Sequence, residues 1–144
     1  MKLFETKIDK NSLEKINEVL LSGELGFGSN VPKFEDRFSS FSGKKNNIAT
    51  NSASASAFMI FSFLKEKYGV CDVYTTSLGF TSPAWSAKHF GHNIIFVDVN
   101  EDLQFDVFDY ESRVNLSHSN NQIVVMPVLY GGVSTIKNFK YLYQ

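Results

Sequence analysis

Asn93-Ile94-Ile95-Phe96-Val97-Asp98-Val99 and Gln122-Ile123-Val124-Val125-Met126-Pro127-Val128 decide the fold. Each holds a short apolar run rich in β-branched residues, with none of the polar alternation of a half-exposed strand. Strands that read this way are buried on both faces, and such strands belong to parallel sheets covered by helices. Two further strands are expected at Asn47–Thr50 and Asp72–Thr76. Helical patterns surround them. Asn11 opens a first helix as its cap, with Glu14 three residues on, and Leu13, Ile16, Val19 and Leu20 fall on one face. Gly23, Gly26 and Gly28 then form a loop. A second helix covers Val31 to Ser42, with Phe34, Phe38 and Phe41 on one face and Gly43 just past its end. Others cover Ser54–Tyr68, Pro83–Phe90, Asp106–Val114 and Thr135–Tyr143. Alternating strands and helices give an α/β fold: three αβα layers around a mainly parallel sheet. Residues 1–30 form an N-terminal helix and glycine-rich loop, and 31–144 an αβ core portion.

The chain has 144 residues, 43% hydrophobic and 20% charged, which suits one globular unit with a core. Its net charge of −1 offers no basic stripe for nucleic acid. The single cysteine, Cys71, excludes an internal disulfide and fits a reducing cytoplasm. Met1–Lys7 lacks the apolar run of a signal peptide, and no apolar run approaches the roughly 20 residues of a membrane span. The 14 Phe read mainly as core filling.

In parallel sheets, ligands sit at the carboxyl ends of strands. Here those ends are Asn51–Ser54, Ser77–Phe80, Asp98–Asn100 and Leu129–Gly132. Asn51-Ser52-Ala53-Ser54-Ala55-Ser56 follows one strand and opens a helix. Small residues let a ligand approach the backbone, and a helix start offers unpaired N–H groups and the positive dipole end, which suit a phosphate. The plainer reading is an ordinary cap on Ser52. Phe80, just past another strand, reads as a core residue or as a ring for stacking. The loop Gly23–Gly28 follows a helix, so it is no dinucleotide fingerprint. Asp98, Asp102 and Asp106 read as a solvated turn, since a calcium loop needs closer ligand spacing. His89, His92 and His118 show no zinc spacing with Cys71. No Gly-x-Ser-x-Gly elbow is present.

Taken in order, Leu21-Ser22-Gly23, Gly28, Phe34-Glu35, Gly43, Ile48 to Ala55, Ser77-Leu78-Gly79-Phe80-Thr81, Phe96-Val97-Asp98-Val99 and Met126 to Gly131 resemble the first part of the DegT/DnrJ/StrS family. These are pyridoxal-phosphate aminotransferases acting on nucleotide-linked keto-sugars. The resemblance runs from about Leu20 to Phe139. It implies the N-terminal portion of a fold-type I large domain, working as a homodimer on a nucleotide-sugar and an amino donor. It also implies that Ser52, Ala53 and Ser54 hold the cofactor phosphate, where the family has Ser-Gly-Thr, and that Phe80 lies against the cofactor ring. Asp98 matches an acidic position common in the family. Trp85 stands where the family usually has Asn, and Leu129 where it has His. The glycine loop would lie on the substrate side, near the partner subunit.

Transamination needs a lysine joined to the cofactor, a carboxylate on the pyridine nitrogen and a phosphate grip. In the family the first two follow the helix that begins near Thr135. Neither has a counterpart here, so the chain alone is expected to be inactive, with no catalytic residue of its own. Three accounts stay open: a fragment of a longer aminotransferase, half of a split enzyme, or a degenerate binding module. The fragment account is preferred. The family resemblance further implies that Asp72–Thr76 lies between the other two sheet strands, leaving Asn47–Thr50 without ladder partners.

Overall fold

The computed structural model describes residues 5–132, which fall into two compact units divided between Ala49 and Thr50. The expected helix Thr135–Tyr143 lies outside the described residues. In the first unit, α1 (Lys10–Ser22) and α2 (Asn30–Ser42) each end at a left-handed glycine, Gly23 and Gly43. The cap of α1 is Asp9, not Asn11: Asp9 Oδ1 accepts the Ser12 N–H at 2.7 Å. A carboxylate three residues before a free N–H makes this the better cap, since its charge also meets the positive end of the helix. Neither helix contains a buried residue, although each carries an apolar stripe. Glu35 reaches forward to accept the Ala49 N–H at 2.8 Å.

The second unit holds α3 (Ala53–Tyr68), β1 (Cys71–Thr76), α4 (Ser82–His89), β2 (Asn93–Val97), α5 (Val107–Leu116), β3 (Gln122–Met126) and a short turn of 3-10 helix at Tyr130–Gly132. The three strands form one parallel sheet in the order β2-β1-β3. The central place of β1 is as expected. Asn47–Thr50 forms no strand. It has no ladder partner among the described residues, and a lone extended segment gains nothing from β geometry without a neighbour to bond.

β1 is buried along its whole length, as a central parallel strand should be. Its Cys71 and Val73 pack on one face against Ala57 and Phe61 of α3 and Ala87 of α4. Tyr74 packs on the other face with Val97, Phe105, and Tyr110 of α5. Helices therefore cover both faces, which makes the three-layer arrangement. Burial in this apolar layer pushes the Cys71 thiol above its usual range, with the nearby Asp72 carboxylate adding to the effect.

Two polar groups tie the layers together. His92 is buried between strand and helix: its Nδ1 accepts the Cys71 N–H at 3.0 Å, and its Nε2 lies 3.0 Å from the Phe61 carbonyl. Asp72, 3% exposed, accepts the side-chain amides of Asn93 at 2.7 Å and Asn121 at 2.9 Å. One carboxylate thus joins the starts of all three strands.

α3 is apolar nearly all round. Ala57 and Phe61 are buried, yet Phe58, Met59, Ile60 and Phe63 are exposed. A helix of this kind belongs in the interior of a larger body.

Candidate functional site

The connection from α3 to β1 is only Gly69-Val70, so helix and strand run in opposite directions. The start of α3 therefore lies at the same end of the sheet as the carboxyl end of β1. The four predicted ligand-facing segments, Asn51–Ser54, Ser77–Phe80, Asp98–Asn100 and Leu129–Gly132, lie at that end, since β2 and β3 run parallel to β1.

Ser52 is the cap of α3. Its backbone is extended, and its Oγ accepts the Ala55 N–H at 3.2 Å. Its carbonyl takes the Ser56 N–H at 3.1 Å. Thr50 Oγ1 steadies the approach, bonding the Ser52 carbonyl at 3.0 Å and Ser56 Oγ at 2.6 Å. The N–H groups of Ala53 and Ser54 have no acceptor among the described residues. Both residues are exposed, as is Ser52. The result is a helix start with two open donors, an exposed hydroxyl on Ser54 and no bulky side chain nearby in sequence. That donor set fits a phosphate monoester.

Phe80 is 89% exposed, so the core reading of this ring does not hold. The loop that carries it is fixed at Gly79. There φ is +149°, and a Cβ would lie 3.1 Å from Val128 Cγ1. Glycine is needed at this point for both reasons. Thr76 Oγ1 also donates to the Leu78 carbonyl at 3.0 Å. The loop thus rests on the segment after β3 and presents an aromatic ring to solvent. Trp85 is exposed as well, and lines a shallow groove with Lys88, Ile94 and Phe96 on the outer side of β2.

The acidic run after β2 is a structural turn. Asp106 caps α5, accepting the Phe108 N–H at 2.8 Å. Asp98 Oδ1 accepts its neighbour Val99's N–H, and the Asp98 N–H goes to Asp109 at 2.8 Å. Asp109 also pairs with Arg113 at 2.6 Å, and the hydrogen bond from that guanidinium holds its carboxyl below the ordinary range. Among the described residues no group of three or more His, Cys, Asp and Glu is placed to hold a metal ion, and no helix is long and apolar enough to cross a membrane.

Sequence reasoning missed His92, Asp72 and Gln104. The spacing of His92 from the other histidines and Cys71 carries no sign of its bonds to Cys71 and Phe61. Gln104 is buried and its amide donates to the Tyr130 carbonyl at 3.2 Å, linking the turn after β2 to the segment after β3.

A model of the DegT/DnrJ/EryC1/StrS aminotransferase family matches residues 6–142. The spore coat polysaccharide biosynthesis protein SpsC of Bacillus subtilis is 35% identical over 130 residues, covering 88% of this chain and 32% of SpsC. A UDP-4-amino-4,6-dideoxy-N-acetyl-beta-L-altrosamine transaminase of Campylobacter jejuni is 27% identical over 127 residues, covering 88% of this chain and 33% of the transaminase. The structure of Helicobacter pylori PseC, an aminotransferase involved in the biosynthesis of pseudoaminic acid, superposes with a TM-score of 0.79 at 24% identity, over 92% of this chain and 35% of PseC. The chain thus spans about a third of the length of the relatives it matches. Its α/β fold is that of the N-terminal part of a fold-type I aminotransferase. The chain belongs to the DegT/DnrJ/EryC1/StrS aminotransferase family.

Proposed function

We propose that this chain is the N-terminal third of a pyridoxal-phosphate aminotransferase that acts on a nucleotide-linked keto-sugar in polysaccharide or related sugar biosynthesis. Its part is to hold the cofactor. The observation that carries this reading is the pair of open N–H groups on Ala53 and Ser54, at the same end of the sheet as the exposed ring of Phe80. Family membership supports it, because the aminotransferases of this family depend on pyridoxal phosphate.

In this reading Ala53 and Ser54 donate backbone N–H groups to the cofactor phosphate, and Ser54 Oγ adds a third donor. The positive end of α3 favours the phosphate charge. Phe80 would supply an aromatic ring for the cofactor ring to stack on. When bound, the cofactor supplies an electron sink for moving an amino group between donor and sugar. The lysine and the ring-nitrogen carboxylate come from sequence that these 144 residues do not match. The working protein is a homodimer in the cytoplasm, taking a nucleotide-sugar and an amino donor.

The test uses the purified chain. It is expected to bind pyridoxal phosphate and to show no amino transfer from glutamate to a nucleotide keto-sugar. Turnover by the chain alone, or the absence of any cofactor binding, would contradict the proposal.

A further inference from the structure

Gln104 is 2% exposed, and its side-chain amide donates to the carbonyls of Asp102 at 3.3 Å and Tyr130 at 3.2 Å. Its Oε1 is buried without a hydrogen-bond partner among the described residues. An apolar side chain of similar size would remove that unpaired acceptor and lose only the two donated bonds. What Gln104 adds is therefore the link made by its amide.

The link starts from a rigid base. Asn100 Oδ1 accepts the N–H groups of Asp102 and Gln104, each at 3.0 Å, and the Asn100 N–H bonds the Gln104 carbonyl at 2.9 Å. Leu103 between them takes φ 59°, a region that side chains with a Cβ seldom enter. From this turn Gln104 holds the Tyr130 carbonyl. Two residues earlier, the Val128 side chain occupies the space beside Gly79, where an added Cβ would lie 3.1 Å from Val128 Cγ1, and Gly79 neighbours Phe80.

We infer that Gln104 is a positioning residue for Phe80, acting through the Tyr130 carbonyl and the Val128 side chain. The inference rests on the cofactor-stacking role proposed for Phe80. The mechanical link itself does not.

The experiment compares the 144-residue wild type with Gln104→Met and Val128→Ala. Backbone ¹⁵N order parameters of Gly79 and Phe80 are expected near 0.85, roughly the rigid limit, in wild type, and to fall below about 0.6 in both variants, while those of Val73 and Tyr74 hold. Affinity for pyridoxal phosphate is expected to fall about three- to tenfold, the worth of one aromatic contact. Affinity for inorganic phosphate, held at the start of α3, is expected to stay unchanged. Unchanged order at Gly79 and Phe80 in Gln104→Met overturns the inference, as does an equal loss for both ligands. Should Gln104→Met fail to fold, Val128→Ala alone decides by the same readouts. A wild type that binds no pyridoxal phosphate removes the stacking role and leaves the order-parameter result to stand or fall by itself.

Discussion

His92 Nδ1 accepts the backbone N–H of Cys71 at 3.0 Å, while the opposite ring nitrogen meets the Phe61 carbonyl at 3.0 Å. One acceptor and one donor on the same ring define the neutral imidazole with its proton on Nε2, assigned from these partners. The ring joins the segment before β2 to β1 and to the middle of α3, whose start carries the candidate phosphate grip. His92→Phe keeps the ring volume and removes both bonds; the Phe61 carbonyl keeps its place in the helix ladder, while the Cys71 N–H loses its ring acceptor. It is expected to cost about 1–3 kcal/mol of unfolding free energy, chiefly from that buried N–H. Urea denaturation followed by circular dichroism measures it, and a loss below about 0.5 kcal/mol would show that water replaces both bonds.

Asp72 gives the chain a pH dependence. Burial raises its carboxyl, but the hydrogen bonds from Asn121, Ser119 and Asn93 outweigh that and hold it below the ordinary aspartate range. A carboxyl lowered in the folded state adds stability above its unfolded value of about 4 and loses that contribution as pH falls through the folded value. Asp72→Ala is therefore expected to cost about 1–3 kcal/mol at pH 7, and less as the pH approaches about 3. Denaturation midpoints of both proteins across pH 3–7 read this out. A gap that widens in acid would reverse the sign of the argument.

The exposed Asp109–Arg113 pair should behave differently. Arg113→Ala is expected to cost no more than about 0.5 kcal/mol, since the pair is one helical turn apart and solvated. Thermal melts at low and high salt check it, and a loss above about 1 kcal/mol would mean that the pair is more than a surface contact.

Gly79→Ala meets two obstacles at once, the φ of +149° and the Val128 methyl at 3.1 Å. The backbone conformation alone is worth about 1–3 kcal/mol, so the loop is expected to shift and not merely tighten. A melting temperature within a degree of wild type, with unchanged amide shifts at Leu78 and Phe80, would refute that.

Much of this architecture was readable before the structure. Asn93–Val97 and Gln122–Met126 do form the parallel sheet that their apolar runs predict, but the burial expected on both faces is met only by the central β1; β2 and β3 are its edges and stay largely half-buried or exposed, Val97 apart. Gly43 reads as the residue past a helix end, and the structure gives it the positive φ that suits glycine there. Asn47–Thr50 reads as a strand locally, but it stands without ladder bonds among the described residues, as the family resemblance implies, because ladder partners and not local preference make a strand. Asn11 and Asp9 compete as caps within two residues, and the pattern Asn11-x-x-Glu14 favoured the wrong one. The groups that bind the layers were not legible. Asp72 meets Asn93 and Asn121 across 21 and 49 residues. His92 meets Phe61 across 31. No local period records such pairs. At the site, Ser52–Ser54 was visible because a helix start is a local signal, whereas the support of Phe80 by Val128 depends on how β1 and β3 align.

Ala53 is exposed in the first turn of α3, so Ala53→Leu should leave the fold intact. The added bulk is expected to lower affinity for inorganic phosphate at least tenfold, because backbone N–H groups grip a phosphate only where it can approach closely. Isothermal titration measures this, and retained affinity would place the grip elsewhere.

The most direct test is a titration of the ¹⁵N-labelled 144-residue chain with pyridoxal phosphate, observed by amide chemical shifts. The account predicts saturable shifts at Ala53 and Ser54, ring-current shifts at Phe80, and the loss of all three in Ala53→Leu. Silent Ala53 and Ser54 amides, or shifts that persist unchanged in Ala53→Leu, would contradict it.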